Sequence, residues 1–117
     1  MPFREAVEAT GRRKLLIATL WTEVCLVFPA LDELAERYEV FPIVDAIGGT
    51  SLEAHVAGLQ RVVQAGGQPT GWVQLICELQ RDWARGETVP AFRDILFDSS
   101  VPFVKQERES QEVSASV

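Results

Sequence analysis

The apolar positions along the chain follow two different patterns. Short continuous apolar runs are typical of buried strands, and apolar residues that recur every three or four positions are typical of amphipathic helices. The apolar runs predict three strands, at Lys14–Leu20, Glu39–Ile47 and Pro69–Val73. The helical spacing predicts five helices, which lie before Gly11, after Thr22, from Thr50 to Gly66, from Gln74 to Arg85 and from Pro90 to Phe97.

The predicted elements alternate between helix and strand, in the order α-β-α-β-α-β-α-α. This alternation predicts an α/β fold in which a parallel sheet has helices on both faces. The first strand, Lys14–Leu20, is almost wholly apolar and is expected to be buried on both faces. Three strands are few for such a sheet, so the sequence predicts the C-terminal half of a larger α/β domain.

Local signals refine these boundaries. Thr22 is a predicted N-cap, and Thr50 with Glu53 three residues later has the spacing of a capping box. Pro42 lacks the N–H that a central strand needs, so it predicts an edge, a bulge or an irregularity in the second strand. Residues 1–104 are predicted to form one partial domain, and the polar, charged residues 105–117 a disordered tail.

Charge and composition exclude several classes of function. The chain has 117 residues, 47% of them apolar, and a net charge of −6, which argues against nucleic acid or an anionic membrane as a partner. No apolar run approaches the about 20 residues that span a bilayer, and the N-terminus lacks a signal-peptide core. Two distant cysteines and one histidine do not make a usual zinc site. We therefore expect a cytoplasmic chain with free thiols, no metal and no cofactor.

The sequence around Cys25 predicts the clearest candidate for chemistry. A strand runs through a tight turn into a helix, and with Thr22 as N-cap Cys25 takes the third helical position. Free N–H groups and the helix dipole at that position favour a thiolate, which is a nucleophile. The structural alternative is that Cys25 is a small buried apolar residue.

Other polar residues have a structural explanation that we prefer to a catalytic one. Asp45 ends a strand at the edge where ligands bind in α/β sheets, and it either replaces a catalytic carboxylate or bonds a neighbouring loop. His55 is expected to be packed or on the surface, and Cys77 to lie in the core. Glu23 is expected to face the helix dipole. The remaining candidates, for which capping or core packing is the default, are Gly48-Gly49-Thr50-Ser51, Trp21, Trp72 and Trp83.

Several segments together resemble one protein family. Residues 15–25 read LLIATLWTEVC, residues 28–31 read FPAL, and residues 78–83 read ELQRDW. This set is similar to the isochorismatase-like cysteine hydrolases, and the last motif resembles their YcaC-like subgroup. Further agreement comes from Tyr38-Glu39-Val40, Val44-Asp45-Ala46 and His55.

The resemblance implies a three-layer α/β/α fold and an Asp-Lys-Cys catalytic triad. It makes Cys25 the nucleophile and the backbone N–H groups of Trp21 and Cys25 the oxyanion hole, with a cis peptide bond between Leu20 and Trp21. The Asp and Lys of the family lie on strands that precede the part of the family that this chain resembles, and they have no counterpart in this chain. The metal ligands of the family's nicotinamidase branch are missing for the same reason.

Three functions follow as expectations. The first is a cysteine hydrolase acting on a small amide, another C–N compound or an ester-like substrate, and assembled as a homo-oligomer. The second is a catalytically inactive, truncated fragment that acts as an oligomerisation or interaction module. The third is a redox-sensing thiol at Cys25.

Overall fold

The computed structural model describes residues 2–98 and residue 113, in two compact units, Met1–Trp72 and Val73–Val117. Helices alternate with strands, which confirms the predicted α/β class. A π-helical turn at Thr22–Leu26 runs directly into the second α-helix. The other elements are the strands β1 (Lys14–Ile17) and β2 (Glu39–Pro42) and the helices α1 (Pro2–Ala9), α2 (Val27–Ala35), α3 (Leu52–Gln64), α4 (Trp72–Gln80) and α5 (Val89–Asp98).

The two strands lie parallel and pair from Lys14 opposite Glu39 to Ile17 opposite Pro42. Both are shorter than the sequence predicts. Beyond β1, Leu20 makes one further parallel bridge to Gly48. This bridge extends the pairing toward the turn that carries Cys25.

The predicted third strand, residues 69–73, is wrong, because only a single parallel bridge forms, between Ile43 and Thr70. Val40 and Pro42 accept hydrogen bonds from the N–H groups of Gln68 and Thr70, both at 2.9 Å. The next ladder bond would run from residue 42 to the carbonyl of Gln68, and Pro42 has no N–H to donate. β2 therefore lies between β1 and this segment, so Pro42 marks an irregularity and not a sheet edge.

The boundaries of α4 also differ from the prediction of residues 74–85. The helix begins at Trp72, whose N–H donates to Asp45 Oδ1 at 2.9 Å, so Asp45 caps it. It ends at Gln80 because Arg81 has φ of +70°, a left-handed conformation that no helix interior contains.

The core of the first unit lies between α2, β2 and α3. Only one face of β1 contributes to it, through Leu15 and Ile17. Leu16, on the other face, is 50% exposed, so the prediction that this strand is buried on both faces is wrong. The buried core residues are Val27, Ala30, Tyr38, Val40 and Val62.

The second unit is held by polar as well as aromatic contacts. The buried Gln80 accepts a hydrogen bond from the Thr88 hydroxyl at 2.7 Å and donates to the carbonyl of Arg85 at 3.2 Å. The ring of Trp83 meets that of Phe92 edge to face, with 5.2 Å between centroids. These contacts order the turn between α4 and α5.

No helix in the part of the chain that the structure describes is long and apolar enough to cross a membrane. The predicted disordered tail, residues 105–117, lies outside the described residues except for Val113. Residues 99–104 of the predicted domain also lie outside them.

Candidate functional site

The turn that carries Cys25 begins at a cis peptide bond between Leu20 and Trp21, as the family resemblance implies. The carbonyl of Trp21 accepts hydrogen bonds from the N–H groups of Val24 (3.1 Å), Cys25 (2.9 Å) and Leu26 (3.4 Å). The bond from Leu26 spans five residues, and such π-helical turns are frequent at functional sites. Trp21, not Thr22, precedes the helical segment, so the predicted N-cap at Thr22 is wrong.

Cys25 is exposed, so the structure does not support the alternative of a small buried residue. Within residues 2–98, the N–H of Trp21 donates to no acceptor. The N–H of Cys25, in contrast, already donates to the Trp21 carbonyl. One of the two oxyanion donors that the resemblance implies is therefore unengaged, and the other is part of the helical turn.

The exposed face of this turn is apolar. Trp21, Val24 and Phe28 are 54%, 40% and 60% exposed. With Cys25 they lie within one segment of the chain, residues 21–28. We call these four residues the Trp21 stripe. The candidate nucleophile is therefore preceded and followed in the sequence by apolar side chains that solvent reaches.

Thr22 points the other way, into the protein, and is fully buried. Its Oγ1 shares a hydrogen bond of 2.6 Å with Nδ1 of His55, on α3. Its N–H donates to the carbonyl of Gly48 at 3.1 Å. The contact between Thr22 and His55 has no signal in the sequence, because no local pattern joins two residues that lie 33 positions apart.

Glu23 makes a second connection, to the loop that precedes α3. Its Oε1 accepts hydrogen bonds from the Thr50 hydroxyl and from the Thr50 N–H, the latter at 3.0 Å. The hydrogen bond from the Thr50 hydroxyl is the main reason that the pKa of Glu23 is lowered. The backbone N–H of Glu23 and the nearby His55 lower this pKa further. The predicted capping box at Thr50 is wrong, because Ser51 caps α3 by accepting from Ala54 N–H at 3.0 Å.

Gly58 lets α3 approach the turn closely. A Cβ at this position would lie 3.2 Å from Thr22 Cγ2 and 3.3 Å from both Glu23 Cα and Val27 Cγ2. These distances are tighter than ordinary carbon contacts, and the Glu23 Cα is backbone that cannot rotate away. The absence of a side chain at Gly58 is therefore what allows α3 and the turn to pack together.

The other candidates are placed as follows. Asp45 is exposed and caps α4, which favours its structural role. Cys77 is exposed, so its predicted core position is wrong. Trp83 packs on Phe92. Among residues 2–98 and 113, no group of three or more His, Cys, Asp or Glu side chains is arranged to hold a metal ion.

Comparison with known proteins decides the family. The model of the isochorismatase domain matches residues 1–74. This chain belongs to the isochorismatase family. The match covers α1, both strands, the π-helical turn and α3. It therefore includes Cys25, Trp21 and all of their hydrogen-bond partners named above.

Two curated relatives of this isochorismatase-family chain cover different shares of it. The probable hydrolase YcaC of Escherichia coli is 43% identical over 81 residues, which are 69% of this chain and 39% of the relative. The isochorismatase family protein 1B of Dictyostelium discoideum is 30% identical over 97 residues, which are 83% of this chain and 43% of the relative. The chain thus spans less than half the length of the curated relatives it matches.

Two solved structures share the fold. YcaC from Pseudomonas aeruginosa, with hexane-2,5-diol and covalent acrylamide, has a TM-score of 0.85 at 35% identity over 94% of this chain and 53% of its own. YcaC from E. coli, an octameric hydrolase of unknown specificity, has a TM-score of 0.82 at 36% identity over 95% of this chain and 53% of its own. The isochorismatase-like fold is therefore confirmed for this chain.

Proposed function

We propose that this chain contributes the nucleophile and the oxyanion donors of an isochorismatase-like cysteine hydrolase. The observation that carries the proposal is the exposed thiol of Cys25, one helical turn after the unengaged N–H of Trp21. A nucleophile beside a free backbone donor is the arrangement that acyl transfer requires. The covalent acrylamide in the P. aeruginosa relative supports it, because a thiolate adds readily to an activated alkene of that kind.

The proposed reaction is hydrolysis of a small amide, another C–N compound or an ester-like substrate. The Cys25 thiolate attacks the carbonyl carbon, and the Trp21 N–H binds the oxyanion that forms. The Cys25 N–H joins it by sharing its hydrogen between that oxyanion and the Trp21 carbonyl, as bifurcated bonds at helix ends do. The leaving group departs with a proton, and water then cleaves the thioester to release the acid and restore the thiol.

The proton transfers need groups beyond those named. The Asp and Lys that the family uses have no counterpart among the 117 residues of this chain, and Asp45 is engaged with α4. A missing general acid or base lowers a rate by about 10² to 10⁴. We therefore propose weak activity for this chain by itself.

A second function is favoured by the exposed apolar residues of the first unit. The Trp21 stripe, the half-exposed Leu16 and the largely exposed Leu20 leave large apolar side chains in contact with solvent, and exposed apolar side chains that cluster mark interaction sites. The octameric state of the E. coli relative supports assembly into a homo-oligomer. In this case the chain is an oligomerisation module that has lost catalysis.

The exposed, unpaired thiols of Cys25 and Cys77 suit a cytoplasmic protein in either case.

Replacing the nucleophile separates the two functions. We expect Cys25→Ser to reduce hydrolysis of a panel of small amides and esters to the uncatalysed level, because a hydroxyl without a base is a far weaker nucleophile than a thiolate. Release of acid by the purified chain is the measurement, and Cys77→Ser is the matched control, which should keep full activity.

Equal activity in Cys25→Ser and in the unsubstituted chain would rule out the nucleophile. If neither protein hydrolyses any substrate while the chain forms oligomers, the module is the better description. A redox-sensing thiol would show instead as reversible peroxide oxidation of Cys25 that leaves Cys77 reduced.

A further inference from the structure

Two consecutive residues of the π-helical turn are fastened to α3 and to the loop before it. Thr22 shares a hydrogen bond with His55 Nδ1 at 2.6 Å, and Glu23 accepts from the N–H of Thr50 at 3.0 Å. Cys25 lies two residues after Glu23 in the same turn. The position of the turn that presents the thiol therefore depends on α3.

The bond between Thr22 and His55 is shielded from solvent at one end, because Thr22 is fully buried and His55 is partly buried. A buried hydroxyl that loses its only partner keeps the full cost of its desolvation. Gly58 brings α3 close enough for the bond, since a Cβ there would lie 3.2 Å from Thr22 Cγ2. The contact is thus close, buried and specific to Nδ1 of the imidazole.

We propose that His55 is a positioning residue, which holds the turn through Thr22 in the conformation that presents Cys25. The imidazole Nδ1 is engaged by the Thr22 hydroxyl, so this nitrogen holds a side chain of the turn and is not available to a substrate. The proposal rests on the proposed function of Cys25 as a nucleophile. It adds a residue on a different helix that controls how reactive the thiol is.

Reactivity of Cys25 toward acrylamide tests this inference, with Cys77 as an internal reference. Both thiols are exposed in the same chain, and peptide mass spectrometry measures each rate of modification in one sample. A change in the overall fold alters both rates, whereas a change in the turn alters the Cys25 rate alone. The ratio of the two rates is therefore the quantity to compare among variants.

Two matched pairs of variants separate the hydrogen bond from the bulk of the side chain. Thr22→Ser keeps the hydroxyl, and Thr22→Val keeps the shape without it. His55→Asn places an amide near the position of Nδ1, and His55→Gln extends it to the position of the other ring nitrogen. We expect Thr22→Val and His55→Gln to lower the ratio on the order of threefold to tenfold, the range that one hydrogen bond provides. The Ser and Asn substitutions should keep it within about twofold.

Each outcome has one meaning. A ratio near one in the unsubstituted chain contradicts the proposed function, because Cys25 is then no better a nucleophile than Cys77. A high ratio that none of the four substitutions lowers contradicts the role of His55 and leaves the proposed function standing. Equal losses in His55→Asn and His55→Gln also contradict it, because the contact at Nδ1 would then have no special part. If Thr22→Val does not fold, the two His55 variants decide.

Discussion

At the scale of single residues, the turn from Trp21 to Leu26 has both buried and exposed side chains. Thr22 is buried against His55, Glu23 reaches Thr50, and Cys25 is exposed to solvent. An ordinary α-helix places residues three apart on nearly the same side, so its period does not explain this separation. The segment is instead a wider π-helical turn, in which residues 22 and 25 have different environments. One short segment therefore both anchors the turn to α3 and leaves the thiol accessible.

The sequence points to Cys25 but not to the partners of its neighbours. A cysteine after an apolar strand and a turn is a local pattern, and local patterns are visible in a single sequence. Thr22 and Glu23 are also local candidates at a helix start, and the cap interpretation is wrong for Thr22. Its hydroxyl shares a hydrogen bond with His55, and that contact exists only once the π-helical turn and α3 are packed.

The lowered pKa of Glu23 makes a prediction about pH. A carboxyl group whose pKa is lower in the folded chain stabilises the fold above its unfolded value of about 4.3, and this contribution is lost as the pH falls through the folded pKa. We expect Glu23→Gln to melt at a lower temperature than the unsubstituted chain at pH 7. The difference should narrow below about pH 4, as melting curves followed by circular dichroism would show.

Thr50 provides the control for that experiment, since its hydroxyl is the largest cause of the lowered pKa. In a Thr50→Val background, Glu23→Gln should have a smaller effect at pH 7. A difference between Glu23→Gln and the unsubstituted chain that does not change from pH 7 to pH 3 would show that the charge of Glu23 is unimportant.

At the scale of helices and strands, periodicity predicts the order of elements well and their ends poorly. The first two strands and the helices from α1 to α5 are present, because continuous apolar runs and apolar residues at helical spacing are strong signals over several residues. The ends depend on single hydrogen bonds. Asp45 caps α4 from a distance of 27 residues, and Ser51 rather than Thr50 caps α3.

Adjacent valines on α3 offer a direct test of which face of this helix is buried. Val62 is fully buried in the core, and Val63 is about half exposed. We expect Val62→Ala to lower the free energy of unfolding by roughly 2 kcal/mol, because it leaves a cavity. Val63→Ala should change it by less than about 0.5 kcal/mol. Urea denaturation of both variants is the measurement, and equal losses would contradict the packing of α3 described above.

At the scale of the whole molecule, the sequence predicts the fold class and the family. The structure adds which edge and which face of the sheet are uncovered among the described residues. Among the described residues, β1 pairs with no strand except β2. Leu16, on the outer face of β1, is exposed although the sequence predicts burial on both sides. A run of apolar residues indicates that a strand needs cover, but it does not say whether the same polypeptide supplies it.

We expect the outer face of β1, where Leu16 is exposed, to mediate association of the chain with itself. Sedimentation velocity should show species larger than the 13.0 kDa monomer. Leu16→Lys should shift them toward the monomer, because a charge on the outer face of β1 opposes its burial. Leu79→Lys, at an exposed leucine of α4, is the matched control and should leave assembly unchanged. A monomeric chain, or equal effects of the two substitutions, would contradict this expectation.

The proline at the end of β2 also makes the two sides of this strand unequal in their hydrogen bonds. Because Pro42 donates no hydrogen bond to Gln68, the contact between β2 and residues 68–70 is interrupted, whereas the pairing of β1 with β2 continues along all four residues of each strand. Segments with fewer shared hydrogen bonds open at a lower free energy than the global unfolding of a protein. We therefore expect the segment before α4 to open in local unfolding events at a lower free energy than the pairing of β1 with β2.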